Sequence, residues 1–206
     1  VTGNDPSHIL GNLSSNGHVW LVNPYGVLFG PNARIDVAGL VASTLDISNI
    51  DFLASRNQFY SANNLGEVRN QGDIQTTLGG KVWLVGNQVK NEGVIQTPSG
   101  QIALAAGNSI ELVDSGAPNV VVRIKAPENQ TVNLGSLIAS NGGNIDLHGS
   151  IVNQEGIVRA NSLSTDAAGH VVLTANQISL ATNSETQADK GLVQIQADTT
   201  LNSWGK

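Results

Sequence analysis

Asn23-Pro24-Tyr25-Gly26-Val27 is the run of this chain best suited to holding a fixed set of groups out toward another molecule. A proline at the second position presets φ for a tight turn, a glycine two residues later relieves crowding, and an asparagine can close an Asx turn on the backbone. Tyr25 at the tip adds an amphipathic contact. The plainer reading is that the same residues simply close a corner. Trp20 and Trp83 are the other candidates for contact, each large enough to anchor a partner or stack on a sugar ring. Pairs of exposed tryptophans are uncommon without a partner, so the reading adopted is that both lie beneath residues 45–66, a stretch containing Phe52, Phe59 and Tyr60.

Other chemistry-bearing side chains assemble no site. His18 and His170 each follow a repeat glycine and His148 falls elsewhere; no pair has metal-ligand spacing, so all three read as solvated outer-face residues. Asp36, Asp46 and Asp51 would serve glycan cleavage or calcium only if held at a defined separation, and they read instead as turn and cap residues. There is no cysteine, and no Gly-x-Ser-x-Gly elbow, phosphate-cradling loop or dinucleotide fingerprint is found. No catalytic residue, metal or cofactor is expected.

The elements that carry these residues repeat. Gly-x-Φ-x-Φ, with Φ aliphatic, begins at Gly17, Gly80, Gly100, Gly143, Gly169 and Gly191, placing Val19/Leu21, Val82/Leu84, Ile102/Leu104, Ile145/Leu147, Val171/Leu173 and Val193/Ile195 on one strand face. Trp20, Trp83, Ala103, Asp146, Val172 and Gln194 alternate with them and face out. A second unit, Val-x-Asn-x-Gly-x-Ile, runs from Val68 to Ile74 and from Val89 to Ile95, with a looser copy at Val152–Ile157. Its glycines set a period of about 21 residues: Gly72 to Gly93 is one period and Gly93 to Gly156 three. Units this short cannot bury an apolar face alone, so the expected architecture is a stacked β-solenoid rather than a propeller, whose blades repeat at ~40 residues. Residues 45–66 and 111–135 break the rhythm and read as excursions against its side.

Composition agrees. Of 206 residues, 40% are apolar, 13% charged and 23 are glycine, which suits an all-β chain rich in turns and long enough for one core. A net charge of −6 with ten scattered Lys and Arg residues gives no footprint for nucleic acid. The longest apolar run, Ile102 to Ala106, is far short of the ~20 residues of a membrane-spanning helix. The chain begins at Val1 without methionine, which reads as a fragment or processed form.

The run Asn23 to Val27, followed by Phe29-Gly30 and by Gly39-Leu40-Val41-Ala42-Ser43-Thr44, resembles the amino-terminal secretion domain of two-partner-secretion exoproteins, the filamentous-haemagglutinin family. The resemblance extends through the repeats to about residue 180. It implies an all-β right-handed parallel β-helix with short extra-helical β excursions, spanning 1–206 as a single domain that lacks the family's upstream cap. It implies a non-enzymatic secretion signal of a large exoprotein or adhesin, recognised by the periplasmic domains of an outer-membrane transporter and nucleating coils of the downstream exoprotein repeats. The location implied is secreted or cell-surface, by way of the periplasm, with host or cell-surface glycans as further partners. Asn23, Pro24, Tyr25, Gly26 and Val27 match the family's Asn-Pro-Asn-Gly-Ile-type motif except at Tyr25. A polysaccharide-active β-helix enzyme and a passive adhesive shaft are the competing readings; the first calls for a repeated array of Lys, Arg and Asp that is not seen.

Overall fold

The computed structural model describes residues 3–61, 66–113, 121–124, 129–160 and 168–205. Runs of three to six paired residues, many ending at Gly or Asn corners, find their hydrogen-bonding partners one repeat away, and three faces of parallel strands result. The first face stacks 7–9, 27–29, 67–70, 88–91, 130–133, 151–154, 177–180 and 200–203. The second stacks 12–15, 34–37, 73–76, 94–96, 136–138, 157–160 and 185–188. The third stacks 18–22, 39–43, 81–86, 101–106, 144–148, 170–175 and 192–197. The chain visits the faces in that order coil after coil, and such parallel crossovers take a right-handed sense. The fold is a right-handed parallel β-helix.

The repeat register places the interior as the alternation requires. One column reads Val19, Leu40, Val82, Ile102, Ile145, Val171 and Val193, and the next Leu21, Ala42, Leu84, Leu104, Leu147, Leu173 and Ile195. All those in the four coils between 81 and 175 are at 0% exposure. Val19, Leu21 and Ile195 are half-buried against the same core, whereas Val193 is 36% exposed, a departure from its expected interior position. Both pairs belong to the outermost described coils, which have a neighbour on one side only. The coil at 38–43 was not recognisable as a repeat because Ala38 stands where the others have glycine and Ala42 where they have a larger aliphatic residue.

The corner after the Asn-x-Gly unit explains its glycines. Gly72, Gly93, Gly135 and Gly156 form a column so close that a Cβ on Gly93 would lie 2.1 Å from the Gly72 carbonyl oxygen, and one on Gly135 2.0 Å from that of Gly93. Beside them the asparagines bond to one another inside the core: Asn70 Nδ2 donates to Asn91 Oδ1 at 2.8 Å, Asn91 to Asn133 at 2.9 Å and Asn133 to Gln154 Oε1 at 2.7 Å.

Both excursions leave the helix at the corner between the third and first faces. Ser48 caps the short helix Asn49–Leu53, and strand Asn57–Tyr60 follows. From two coils on, strand Ser109–Val113 pairs antiparallel with Asn57–Tyr60 on one side and Val121–Ile124 on the other. The limits expected for the second excursion, 111–135, are therefore corrected: it starts by 109, and Gln130–Asn133 is already back in the helix. Residues 131–137 are a further copy of the Asn-x-Gly unit, disguised by Thr131 in the valine column, whose hydroxyl is satisfied by donating to the His148 carbonyl.

Candidate functional site

The Asn23–Val27 turn occupies the corner from which the excursions spring, one coil before the first of them. Its geometry follows from its residues. Gly26 N–H donates to the Asn23 carbonyl at 3.0 Å, closing a four-residue turn, and Tyr25 N–H donates to Asn23 Oδ1 at 3.0 Å, closing an Asx turn inside it. Gly26 has φ +134°, a backbone that L side chains rarely adopt. Asn23 Nδ2 reaches back to donate to the Asp5 carbonyl and to Ser7 Oγ, at 3.0 and 2.9 Å, and Ser7 N–H donates to the Gly26 carbonyl. From the next coil Gly66 closes over the turn: a Cβ there would stand 2.4 Å from the Pro24 carbonyl oxygen and 2.8 Å from Gly26 N. The turn is thus clamped between the segment before it and the coil after it.

Those bonds leave the five residues unequally available. Asn23 and Val27 are each 1% exposed, Val27 pointing into the core column with Val68 and Val89. Gly26 is buried and Pro24 half-buried, while Tyr25 is 39% exposed. Its ring borders a shallow groove of about 230 Å³ lined by Pro6, His8, Leu28, Glu67, Arg69 and Gln71. His8, Leu28 and Arg69 are register partners in successive coils, so stacking assembles this wall from residues 20 and 41 positions apart. The sequence reading did not find them; the outward positions beside Val27 and Val68 carried the signal.

The groove's charges are internally matched. Arg69 donates to both Glu92 carboxylate oxygens, at 2.7 and 2.9 Å, while Lys90 and Gln71 also bond to that carboxylate at 2.9 Å. These bonds, Arg69's foremost, hold the Glu92 carboxyl down at about 2 against the desolvation that opposes them, and the Glu92 bond raises the Arg69 guanidinium.

The tryptophans lie elsewhere. Trp83 is 4% exposed in a second apolar cluster with Val41, Leu45, Phe59, Val85, Ala103, Ala105, Ile110 and Leu112, and half-buried Trp20 packs against the same cluster. Trp20 meets Phe52 edge-on with ring centroids 5.1 Å apart and stacks on Phe59 at 6.1 Å. The covering layer includes residues 45–60, but 109–112 of the second excursion complete it.

Of the histidines, His18 is exposed and His170 half-buried, but His148 departs from the expected solvated position: it is 6% exposed. Asp51 accepts from Ser48 and Arg56 in the first turn of the short helix and Asp46 accepts the Ile47 N–H, while Asp36 is exposed on the second face. Among the described residues no group of three or more His, Asp or Glu side chains is placed to hold a metal. The outward column His8, Leu28, Arg69, Lys90, Val132, Asn153 sets two cations in adjacent coils but carries no carboxylate, so it does not supply the acid and base pair that carbohydrate cleavage calls for.

A family model described as the TPS secretion domain matches residues 1–195. Among solved structures, the HMW1 secretion domain from Haemophilus influenzae superposes with a TM-score of 0.82 at 34% sequence identity, over 94% of this chain and 58% of that one. Two heme/hemopexin-binding proteins of Haemophilus influenzae are 40% identical over 76 residues and 39% over 72, covering 36% and 35% of this chain. The aligned segments make up 8% of the length of each.

Proposed function

The chain belongs to the two-partner-secretion (TPS) secretion-domain family, and from that premise we propose that its Asn23–Val27 turn is the element by which the periplasmic domains of an outer-membrane transporter recognise it. The domain is the secretion signal of a large exoprotein. Recognition is followed by folding outside the cell, where the completed coils offer a strand ladder on which further coils form. The product is secreted or held at the cell surface. Binding of heme or hemopexin, after which two relatives are named, is a property of proteins of which the alignment spans 8%, and the export role of this chain does not depend on it.

The observation that supports the turn as the recognition element is its construction. Five hydrogen bonds and the overlying Gly66 fix this corner, and two of the five, Gly26 N–H to the Asn23 carbonyl and Tyr25 N–H to Asn23 Oδ1, lie within the turn itself and need no neighbouring coil. The test is export of the intact exoprotein through its transporter. Asn23→Ala and Gly26→Ala should each lose roughly 1 kcal/mol of stability but reduce secretion more than Leu173→Ala, a fully buried truncation costing about 2–5 kcal/mol. Secretion that falls only in proportion to lost stability would assign the turn a structural role alone.

A further inference from the structure

Beyond recognition, we propose that the two excursions form a folding latch: the sheet they make closes only after the coils between them have stacked, and once closed it holds those coils against unravelling. The pairing itself sets the order. Strand Asn57–Tyr60 has the single bridge of Tyr60 with Asp46 on one edge, and on the other the strand Ser109–Val113, about 50 residues further along the chain. In the unfolded chain that second contact must close a long loop before it returns any stabilisation. Stacking of 39–43, 81–86 and 101–106 closes the loop in advance, because it brings both exits to one corner two rungs, ~10 Å, apart. The strands therefore pair only when every residue from 57 to 112 has left the transporter, at the stage when the chain folds outside the cell.

The side chains show what closure joins. Phe59 and Ile110 are register partners across the sheet, and both are buried in one apolar cluster with Val41, Trp83 and Ala103, which come from three successive coils of the third face. A solenoid coil is otherwise held only by the coils beside it, so these contacts tie together rungs that the ladder leaves independent. Polar groups seat the joint. Ser61 N–H donates to the Asn108 carbonyl at 2.8 Å where the two excursions meet. Asn129 Nδ2 donates to Asn108 Oδ1 and to the Asn87 carbonyl, at 3.2 and 3.0 Å, where the second excursion rejoins the helix. The bond to Asn87 needs the coil of 81–86 to be in place already. Further along the same face, the strand at 170–175 contributes nothing to this cluster, so the latch spans one part of the helix and leaves the rest as a reference.

The experiment follows amide hydrogen exchange by mass spectrometry in the full 206-residue chain, wild type and Ile110→Ala, first during refolding from urea and then in the native state. Pulse labelling of wild type should show 81–86 and 101–106 protected first, and 57–60 together with 109–113 in one later phase. Ile110→Ala should leave the rate of the first phase unchanged and delay or abolish the second. In the native state it should speed exchange of 39–43, 81–86 and 101–106 about tenfold or more, while 170–175 exchanges as in wild type. Protection of 57–60 before or together with 81–86 would overturn the order and the latch with it. Full protection of 57–60 in Ile110→Ala, or unchanged exchange of the three coils, would show that the sheet does not hold them. Loss of all protection in Ile110→Ala would make the sheet part of the folding nucleus instead of its closing step, and the inference would fall. Each of these outcomes leaves recognition by the Asn23–Val27 turn standing, since secretion of the turn variants decides that reading and the order of folding does not.

Discussion

Burial holds the His148 imidazole down at about 4, against an ordinary value of 6.5, because desolvation penalises its charged form. Its Nε2 has no hydrogen-bond partner to offset that penalty. The consequence for stability has a definite sign. Between pH 6.5 and about 4 the unfolded chain takes up a proton at this position that the folded chain refuses, so stability falls as pH falls through that window and is fully retained above it. The loss on reaching pH 4 is on the order of 3 kcal/mol. Urea unfolding at pH 7 and pH 4.5 should show a steeper loss for wild type than for His148→Gln, which carries no titrating ring. Glu92, whose carboxyl ionises at about 2 in the fold, is common to both proteins and cancels in the comparison. Equal losses would remove His148 as the cause. Alternation assigns His148 to the outer side of its strand, in the column of Val85, Ala105 and Thr174. That position was legible. Its burial was not, because an outer position of this face is solvated only where nothing lies over it, and period-2 alternation carries no information about a second layer.

At the scale of the coil, the Asn-x-Gly unit was the most legible element and also the one most incompletely read. Val68–Ile74 and Val89–Ile95 repeat closely enough to give the period, yet the copy at 131–137 hides behind an excursion that inserts one further period, since Asn91 and Asn133 are 42 residues apart. What the spacing could not convey is that the asparagines touch. Asn91 stands in the middle of the column, accepting from Asn70 while donating to Asn133 and to the Gly93 carbonyl. The column ends in a longer side chain: Gln154 donates to the Gly156 and Glu185 carbonyls, and the next register partner is Leu180, as Phe29 is beyond Asn70. A buried amide ladder bounded by apolar residues penalises any shift of register, which would leave amides facing aliphatic side chains. Asn91→Ala removes two inter-coil bonds and leaves polar groups on both neighbours short of a partner, so it should cost about 2–5 kcal/mol in equilibrium unfolding. A loss below about 1 kcal/mol would mean that Asn70 and Asn133 find substitutes and that the ladder contributes little.

Across the whole molecule, the two excursions show how the helix generates tertiary structure that no local pattern announces. The first leaves the coil of 39–43 and the second the coil of 101–106, two rungs and so about 10 Å apart. Because both leave at the same corner, Asn57–Tyr60 and Ser109–Val113 emerge close enough to pair, although they lie some 50 residues apart in sequence. The aromatic content of 45–66 was enough to expect a cover over Trp20 and Trp83; the partner strand follows only once the coils are stacked. Phe59, at 1% exposure and stacked on Trp20, holds this layer to the helix. Phe59→Ala should therefore cost about 3–5 kcal/mol, mostly at the expense of the cover, because each coil retains its own ladder and interior columns. Tryptophan fluorescence separates the two layers if the third tryptophan, Trp204, 62% exposed, is first changed to phenylalanine. In that background, acrylamide should reach Trp20 and Trp83 poorly until Phe59→Ala is introduced, after which quenching should rise while the far-ultraviolet β-sheet spectrum persists. Efficient quenching before the change would contradict the buried position of Trp83 and the cover over half-buried Trp20. Loss of the β spectrum with the cover would show that helix and excursions unfold as one unit, and that the surface carrying the Asn23–Val27 turn depends on the excursions that leave at the same corner.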